Sequence, residues 1–304
     1  MNLLHLRHQG AVIGSLLRLL GSRYSAGPLP QAPGLVLHRE LPPVPEALVA
    51  AYQEFCGGDP GSLHLPSHLF PQWSFPLMVD ILRGLDLPHK RVLNQGCTLT
   101  VNSPLARNTP LHVTSQLTRL DADEYRARLT QRVTTGTRPG EESVVAEVHS
   151  YFPLRRRPKR ENSPSKDRRP PEGLETVGTF RSPKGSGFRY ACLSGDLNPI
   201  HWLGPAARAA GFKGPILHGF ATMALAQTCL ERETAQHVQC FDLRFTRPFL
   251  IPGEARVLLN QEGQVQVIDQ DENLLMAGDV RLKPRLSDPS APADEGQSKE
   301  GPEP

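Results

Sequence analysis

Acidic residues are missing from the first 39 positions of this 304-residue chain. Arg7, Arg18 and Arg23 stand there among leucine-rich turns. That composition suits an organelle transit peptide, and it equally suits a short amphipathic helix, "AVIGSLLRLLGS", packed on the body of the protein. The packed helix is the reading adopted, with a cytoplasmic location expected and a mitochondrial one as the alternative. Long apolar runs are also missing: none approaches the ~20 residues that a membrane-crossing helix requires, which excludes a span of that kind. Cysteine is scarce. Cys56, Cys97, Cys192, Cys229 and Cys240 are odd in number and show no CxxC or zinc-type spacing with histidine. This argues against a disulfide framework and a structural metal, and favours reduced thiols. Net charge is only +3, too little for the molecule as a whole to bind nucleic acid through a concentrated basic face.

Proline and glycine, by contrast, are plentiful at 30 and 26 residues, so much of the chain must be turn or linker. Polar, charged, proline-rich sequence without apolar periodicity runs over "RRRPKRENSPSKDRRPPE" and predicts a linker at 155–172. Its basic run "RRRPKR" (155–160) has no interleaved aromatics and is read as solvated linker. The stretch from Leu286 is equally poor in apolar residues, so 286–304 is expected to be a disordered tail. The expected organisation is therefore an extension (1–39), a first unit (40–154), the linker, a second unit (173–285) and the tail.

Each unit repeats one order. In the second, "GFATMALAQTCLERE" (219–233) suits a mostly buried helix. Four strand-like stretches follow it, "HVQCFDLRFTRPFL", "EARVLLNQEG", "QVQVIDQDENL" and "LLMAGDVRLK". In the first, "FPLMVDILRGL" (75–85) predicts a helix with proline in its first turn. Strands then follow from "CTLTVNSPL" to "ESVVAEVHSYFPL". One long helix against an antiparallel sheet, twice, predicts an α+β fold. The halves look like diverged copies: Tyr52 and "CGGDPGSLH" answer Tyr190 and "SGDLNPIH", with Gly58 where Asp196 stands and Leu63 where His201 stands.

The intact copy carries candidate chemistry. A carboxylate and an imidazole five residues apart around a proline-bent turn, Asp196 and His201, can converge on one water, the histidine acting as acid or base near neutral pH. Gly-Asp and Asn-Pro are also turn signals, and an Asp or Asn can cap a helix. In "GPILHGF" a glycine, Gly219, opens the predicted helix, where a bare backbone amide and the helix N-terminus can stabilise an oxygen that gains charge. Close helix packing is the alternative use of that glycine. Tyr190, at a fixed distance before the loop, is a candidate for the pocket wall.

These residues resemble the MaoC-like hydratases and dehydratases of the hotdog fold. The family signature is matched by "YACLSGDLNPIHWLGPAA" from Tyr190 to Ala207, and its second box, His-Gly at the start of the helix, by "ILHGF". The resemblance implies a double hotdog with a non-catalytic first unit and a catalytic second one, as a monomeric pseudo-dimer or a homodimer. It places the catalytic pair on Asp196 and His201 and the oxyanion donor on the amide of Gly219. Tyr190, Asn198, His218 and Phe220 take supporting positions. The implied reaction is reversible hydration of a trans-2-enoyl thioester of CoA or acyl-carrier protein to the (3R)-hydroxyacyl thioester, with no metal and no cofactor. A thioesterase or a non-catalytic acyl-thioester binding protein is the alternative. Within that reading "RRRPKR" can attract carrier phosphates, and Trp73 and Phe75 either belong to the core or line an acyl tunnel, the core being preferred.

Overall fold

Two long helices, one in each half of the chain, are wrapped by a single ten-stranded antiparallel sheet. The computed structural model describes residues 3–21, 24–25, 27, 29, 31–155 and 171–284. All but the first and last residues of the expected linker, and the whole of the expected tail, lie outside the described residues, apart from Pro171.

The first half comprises α1 (Gly10–Leu20), β1 (Val36–Leu41), α2 (Glu46–Cys56), β2 (His64–Leu65) and α3 (Phe70–Arg83). It continues with β3 (Leu93–Val101), β4 (Leu105–Ala106), β5 (Leu111–Ala122), β6 (Arg126–Gly136) and β7 (Val144–Pro153). The second half comprises β8 (Glu175–Ser182), α4 (Ser186–Ser194), α5 (Gly204–Ala209) and α6 (Gly219–Thr234). Strands β9 (Gln236–Phe245), β10 (Gly253–Leu259), β11 (Gln264–Asp269) and β12 (Leu274–Pro284) complete it.

The sheet order is β1-β5-β6-β7-β3-β9-β12-β11-β10-β8. Read outward from the β3–β9 seam, the halves have the same connectivity: the strand after the long helix lies at the seam, and the strand that opens the half lies at the edge. The seam is an antiparallel pair, with Cys97 opposite Leu243 and Leu99 opposite Phe241, all four buried. One apolar core therefore runs through both halves and includes Leu48, Tyr52, Phe70 and Leu77 together with Phe220, Met223, Leu230 and Phe241.

Alternation explains the strands. In β7 every second residue from Val144 to Phe152 is buried, the period expected when one sheet face meets the helices. Helix α6 has no such asymmetry: Phe220 to Leu230 are all buried, as in a helix enclosed on all sides. Two of its interior polar side chains bond across the halves. Gln227 donates to Ser67 Oγ at 3.2 Å, and Thr228 Oγ1 lies 3.4 Å from His68 Nε2, so both reach into the first half.

Helix α3 starts earlier than the sequence predicts, at Phe70 instead of 75, so Pro71 occupies its first turn and Pro76 is interior. Burial of Phe70, Trp73, Leu77 and Met78 against the sheet outweighs the hydrogen bond lost at Pro76. Trp73 is a core residue, 4 % exposed, whose indole N–H donates to Thr135 Oγ1 at 3.0 Å. The edge strand β1 crosses the boundary expected at residue 39, and α2, α4, β1 and β8 carry no expectation from the sequence. The expected helix near the N-terminus is α1, which packs on α3 through Leu16 and Leu19. No helix among the described residues is long and apolar enough to cross a membrane.

Candidate active site

Helix α4 aims the candidate loop. It ends on Gly195, whose φ of +85° lies in the left-handed region that glycine adopts at helix C-termini. The chain then turns through short-range polar contacts. Ser194 Oγ accepts from the Asp196 amide at 3.3 Å, Asp196 Oδ1 accepts from the Asn198 amide at 3.2 Å, and Asn198 Oδ1 accepts from the Ile200 amide at 3.3 Å. Asn198 thereby caps the single 3₁₀ turn Pro199–His201. The turn-forming residues do what turn residues do, and in doing so they bring Asp196 and His201 to one side.

Asp196, His201 and His218 offer ligand atoms all within 4.8 Å of one another. His201 Nδ1 is 2.9 Å from the Ile216 carbonyl, which accepts its N–H and leaves Nε2 as the basic nitrogen. His218 precedes α6, and its Nε2–H donates to the Asp196 carbonyl at 3.0 Å, 3.9 Å from Asp196 Oδ2. The two imidazoles stack with centroids 3.5 Å apart and planes 22° apart. Their in-plane lone pairs therefore run side by side instead of converging, and one nitrogen of each ring is already engaged by a carbonyl. The cluster is poorly arranged to chelate one metal ion and well arranged to hold a water or a reacting group.

Burial is the largest influence on both histidines and holds them below the ordinary histidine value. For His218 the neighbouring His201 adds to it, and the value falls to about 4 despite Asp196; for His201 burial outweighs Asp196 and the Ile216 carbonyl. Both are neutral at pH 7. Because the unfolded chain titrates near 6.5, between that pH and the folded values the unfolded state binds more protons. Stability is complete above about pH 6.5 and is lost as pH falls. Buried His68, held down to about 3 by burial, acts in the same direction. Melting curves at pH 7.5 and 5.0 are expected to show a lower Tm at the acid value, and His68→Phe is expected to shrink that difference.

Gly219 opens α6, and the amides of its first turn lack intrahelical acceptors and carry the positive end of the helix dipole. A Cβ on Gly219 would lie 2.5 Å from Cε2 of Phe245, at the end of β9. The glycine is needed for that packing. Phe220 joins an aromatic cluster across the halves, with ring centroids 5.4 Å from Phe70, 6.0 Å from Phe75 and 5.9 Å from Phe245. Tyr190, 2 % exposed, lies 4.8 Å from the His218 ring.

Gly187, inside α4, shows no chemistry in the sequence and is decisive in space. A Cβ there would sit 1.8 Å from the His201 carbonyl oxygen. Glycine is the residue that permits such close backbone approach, but with α4 itself unread in the sequence its role could not be placed; Phe245 and Ile216 have no comparable signal.

The first half carries a broken counterpart. Gly57 ends α2 with φ +75°, as Gly195 ends α4. Tyr52 donates to the His68 carbonyl at 3.0 Å, in the places of Tyr190 and His218. Leu69 stands where Gly219 does, and Leu63, where His201 does, is 76 % exposed. No acid–base pair remains there.

Residues 169–279 match the family described as the MaoC like domain. The chain carries a MaoC-like domain. That domain contains α4, the Asp196 loop, His218 and α6. Beyond it, the chain is 27 % identical over 246 residues to 3-hydroxyacyl-thioester dehydratase X of Mycobacterium tuberculosis, covering 77 % of this chain and 85 % of the relative. The crystal structure of HtdX from the same organism superposes with a TM-score of 0.66 over 82 % of this chain and 100 % of HtdX, at 20 % identity. A further M. tuberculosis protein, described as having a double hotdog fold, matches over 83 % of this chain and 96 % of its own, with 14 % identity and a TM-score of 0.50. The MaoC-like domain is thus the second hotdog of a double-hotdog chain.

Proposed function

We propose that the chain is a hydro-lyase that adds water across a trans-2-enoyl thioester to give the (3R)-3-hydroxyacyl thioester, or runs the reverse dehydration. The observation that carries this reading is the clustering of the Asp196 carboxylate with the ring of neutral His201, whose Nδ1 is engaged by the Ile216 carbonyl so that Nε2 is the basic nitrogen, beside the N-terminus of α6. The MaoC-like domain and the dehydratase relative support the same class.

Asp196 and His201 hold and polarise the water whose oxygen bonds to C3, and between them they move its proton and the proton that C2 gains. The Gly219 amide receives the thioester oxygen as it takes on enolate charge. Acid–base chemistry of this kind has use for the pair that the first half lacks. The domain division follows: 40–154 is the scaffold unit and 173–285 the catalytic one.

Phe245, which packs behind Gly219, also lines a groove of about 470 Å³ with Arg119, Arg128 and Arg244. Among the described residues, Arg119 and Arg128 have no ion-pair partner within 4.0 Å. This groove offers a place for carrier phosphates; all but the first residue of the "RRRPKR" run lies outside the described residues. Arg119→Glu/Arg128→Glu is expected to raise KM for the thioester about tenfold with kcat unchanged; steady-state kinetics read it.

Crotonyl-CoA and a longer enoyl-CoA test the reaction. Loss of the enoyl absorbance without release of free thiol supports the hydro-lyase; thiol release makes the chain a thioesterase. A chain-length series on CoA and on acyl-carrier protein ranks the carriers. Because burial lowers the His201 value, the acid limb of kcat/KM is expected below pH 6.5, where His201 protonates.

A further inference from the structure

The N-terminal segment reaches the catalytic loop from the far end of the chain. Gln9, fully buried, donates its side-chain amide to the Leu193 carbonyl at 2.8 Å, across 184 positions of sequence. Leu193 lies in the last turn of α4, where carbonyls have no partner within the helix. Gln9 is therefore a tertiary cap on the helix end that launches the Asp196 loop. Val12, 1 % exposed, closes the same corner: a Cβ on Gly195 would lie 2.7 Å from Val12 Cβ, and Gly195 is the residue before Asp196. Leu16 and Leu19 of the same helix anchor it on a cluster with Val79, Leu82 and Phe152, and so fix it to the first half.

We propose that Gln9 and Val12 are positioning residues for the Asp196 loop, so that the segment ahead of the first hotdog is a working part of the site. This rests on the proposed hydration. The Gln9–Val12 corner lies directly against the backbone of Gly195, where an added Cβ would meet Val12 Cβ at 2.7 Å and Gln9 Oε1 at 3.1 Å. Holding Asp196 against His201 and His218 then depends on a residue pair that belongs to neither hotdog unit, and a small outward shift of the carboxylate separates it from the water that it polarises.

The test uses the full chain with Gln9→Met, which keeps the volume and removes the donor, and with Val12→Ala. Leu17→Ala, at a position 64 % exposed on the same helix, is the control. Each of the first two is expected to lower kcat about tenfold with KM changed less than about twofold, and the control to leave both unchanged. Amide hydrogen exchange is expected to quicken at 195–201 while α6 and β9 keep their protection. Wild-type kcat in both variants overturns the proposal, as does a fall in kcat accompanied by equal loss of protection throughout the chain, which marks a merely structural role. If the wild-type chain hydrates no enoyl thioester, the proposed reaction fails. The exchange pattern still decides whether Gln9 and Val12 hold the loop.

Discussion

Asp196→Asn is expected to reduce enoyl hydration by at least ~10³-fold, within the range by which a positioned acid or base accelerates proton transfer. The substitution is close to isosteric, and Asn can still accept the Asn198 amide bond made by Oδ1. The loop turn therefore survives, and Tm should stay within about 2 °C of wild type. His201→Ala is expected to cost as much activity but also some stability. It strands the buried Ile216 carbonyl that His201 Nδ1–H satisfies, a loss of ~1–3 kcal/mol, and Tm should fall by several degrees. The contrast between the two variants separates the chemistry from the architecture. Hydration retained at more than about a tenth of wild type in Asp196→Asn would remove the carboxylate from the mechanism.

Gly187→Ala is expected to be as damaging without touching a reacting group. Its Cβ would fall 1.8 Å from the His201 carbonyl oxygen and 2.7 Å from the carbonyl carbon. Backbone atoms cannot rotate aside as a side-chain tip can, so either α4 or the 199–201 turn must move. The strain is on the order of 2–3 kcal/mol. Moving the turn draws His201 off the Ile216 carbonyl and away from Asp196, so kcat should fall ~100-fold or more. Gly→Ala inside an exposed helix would instead stabilise, by up to ~1 kcal/mol, so the sign itself is diagnostic. A folded Gly187→Ala variant with wild-type kcat would show that α4 and the loop are not packed backbone to backbone.

Much of the fold was legible in the sequence because the periods are strong. The eight strands between the two edges alternate or cluster apolar residues between Gly, Pro, Asn and Asp turns, and the Ala- and Leu-containing stretch from Phe220 to Leu230 has no polar face to expose. The edge strands were not legible. β1 reads "VLHREL" and is largely exposed, so packing leaves no alternation to find. The helix α3 was read five residues short because Pro76 looked like a first-turn residue, whereas burial of Phe70 and Trp73 carries the helix through it.

The loop "SGDLNPIH" by itself determined where a turn had to form and which side chains, Asp196 and His201, were left over after the turn was explained. Local rules suffice for that, since each of its capping contacts spans no more than three residues. Tertiary structure alone decided what those side chains face. His218 arrives from 22 positions onward, Phe245 from the seam strand, Gly187 from the helix beneath, and Gln9 and Val12 from the opposite end of the chain. No local pattern records such meetings, because they depend on how the two helices lie within the shared sheet, and that is set by the summed burial of both halves.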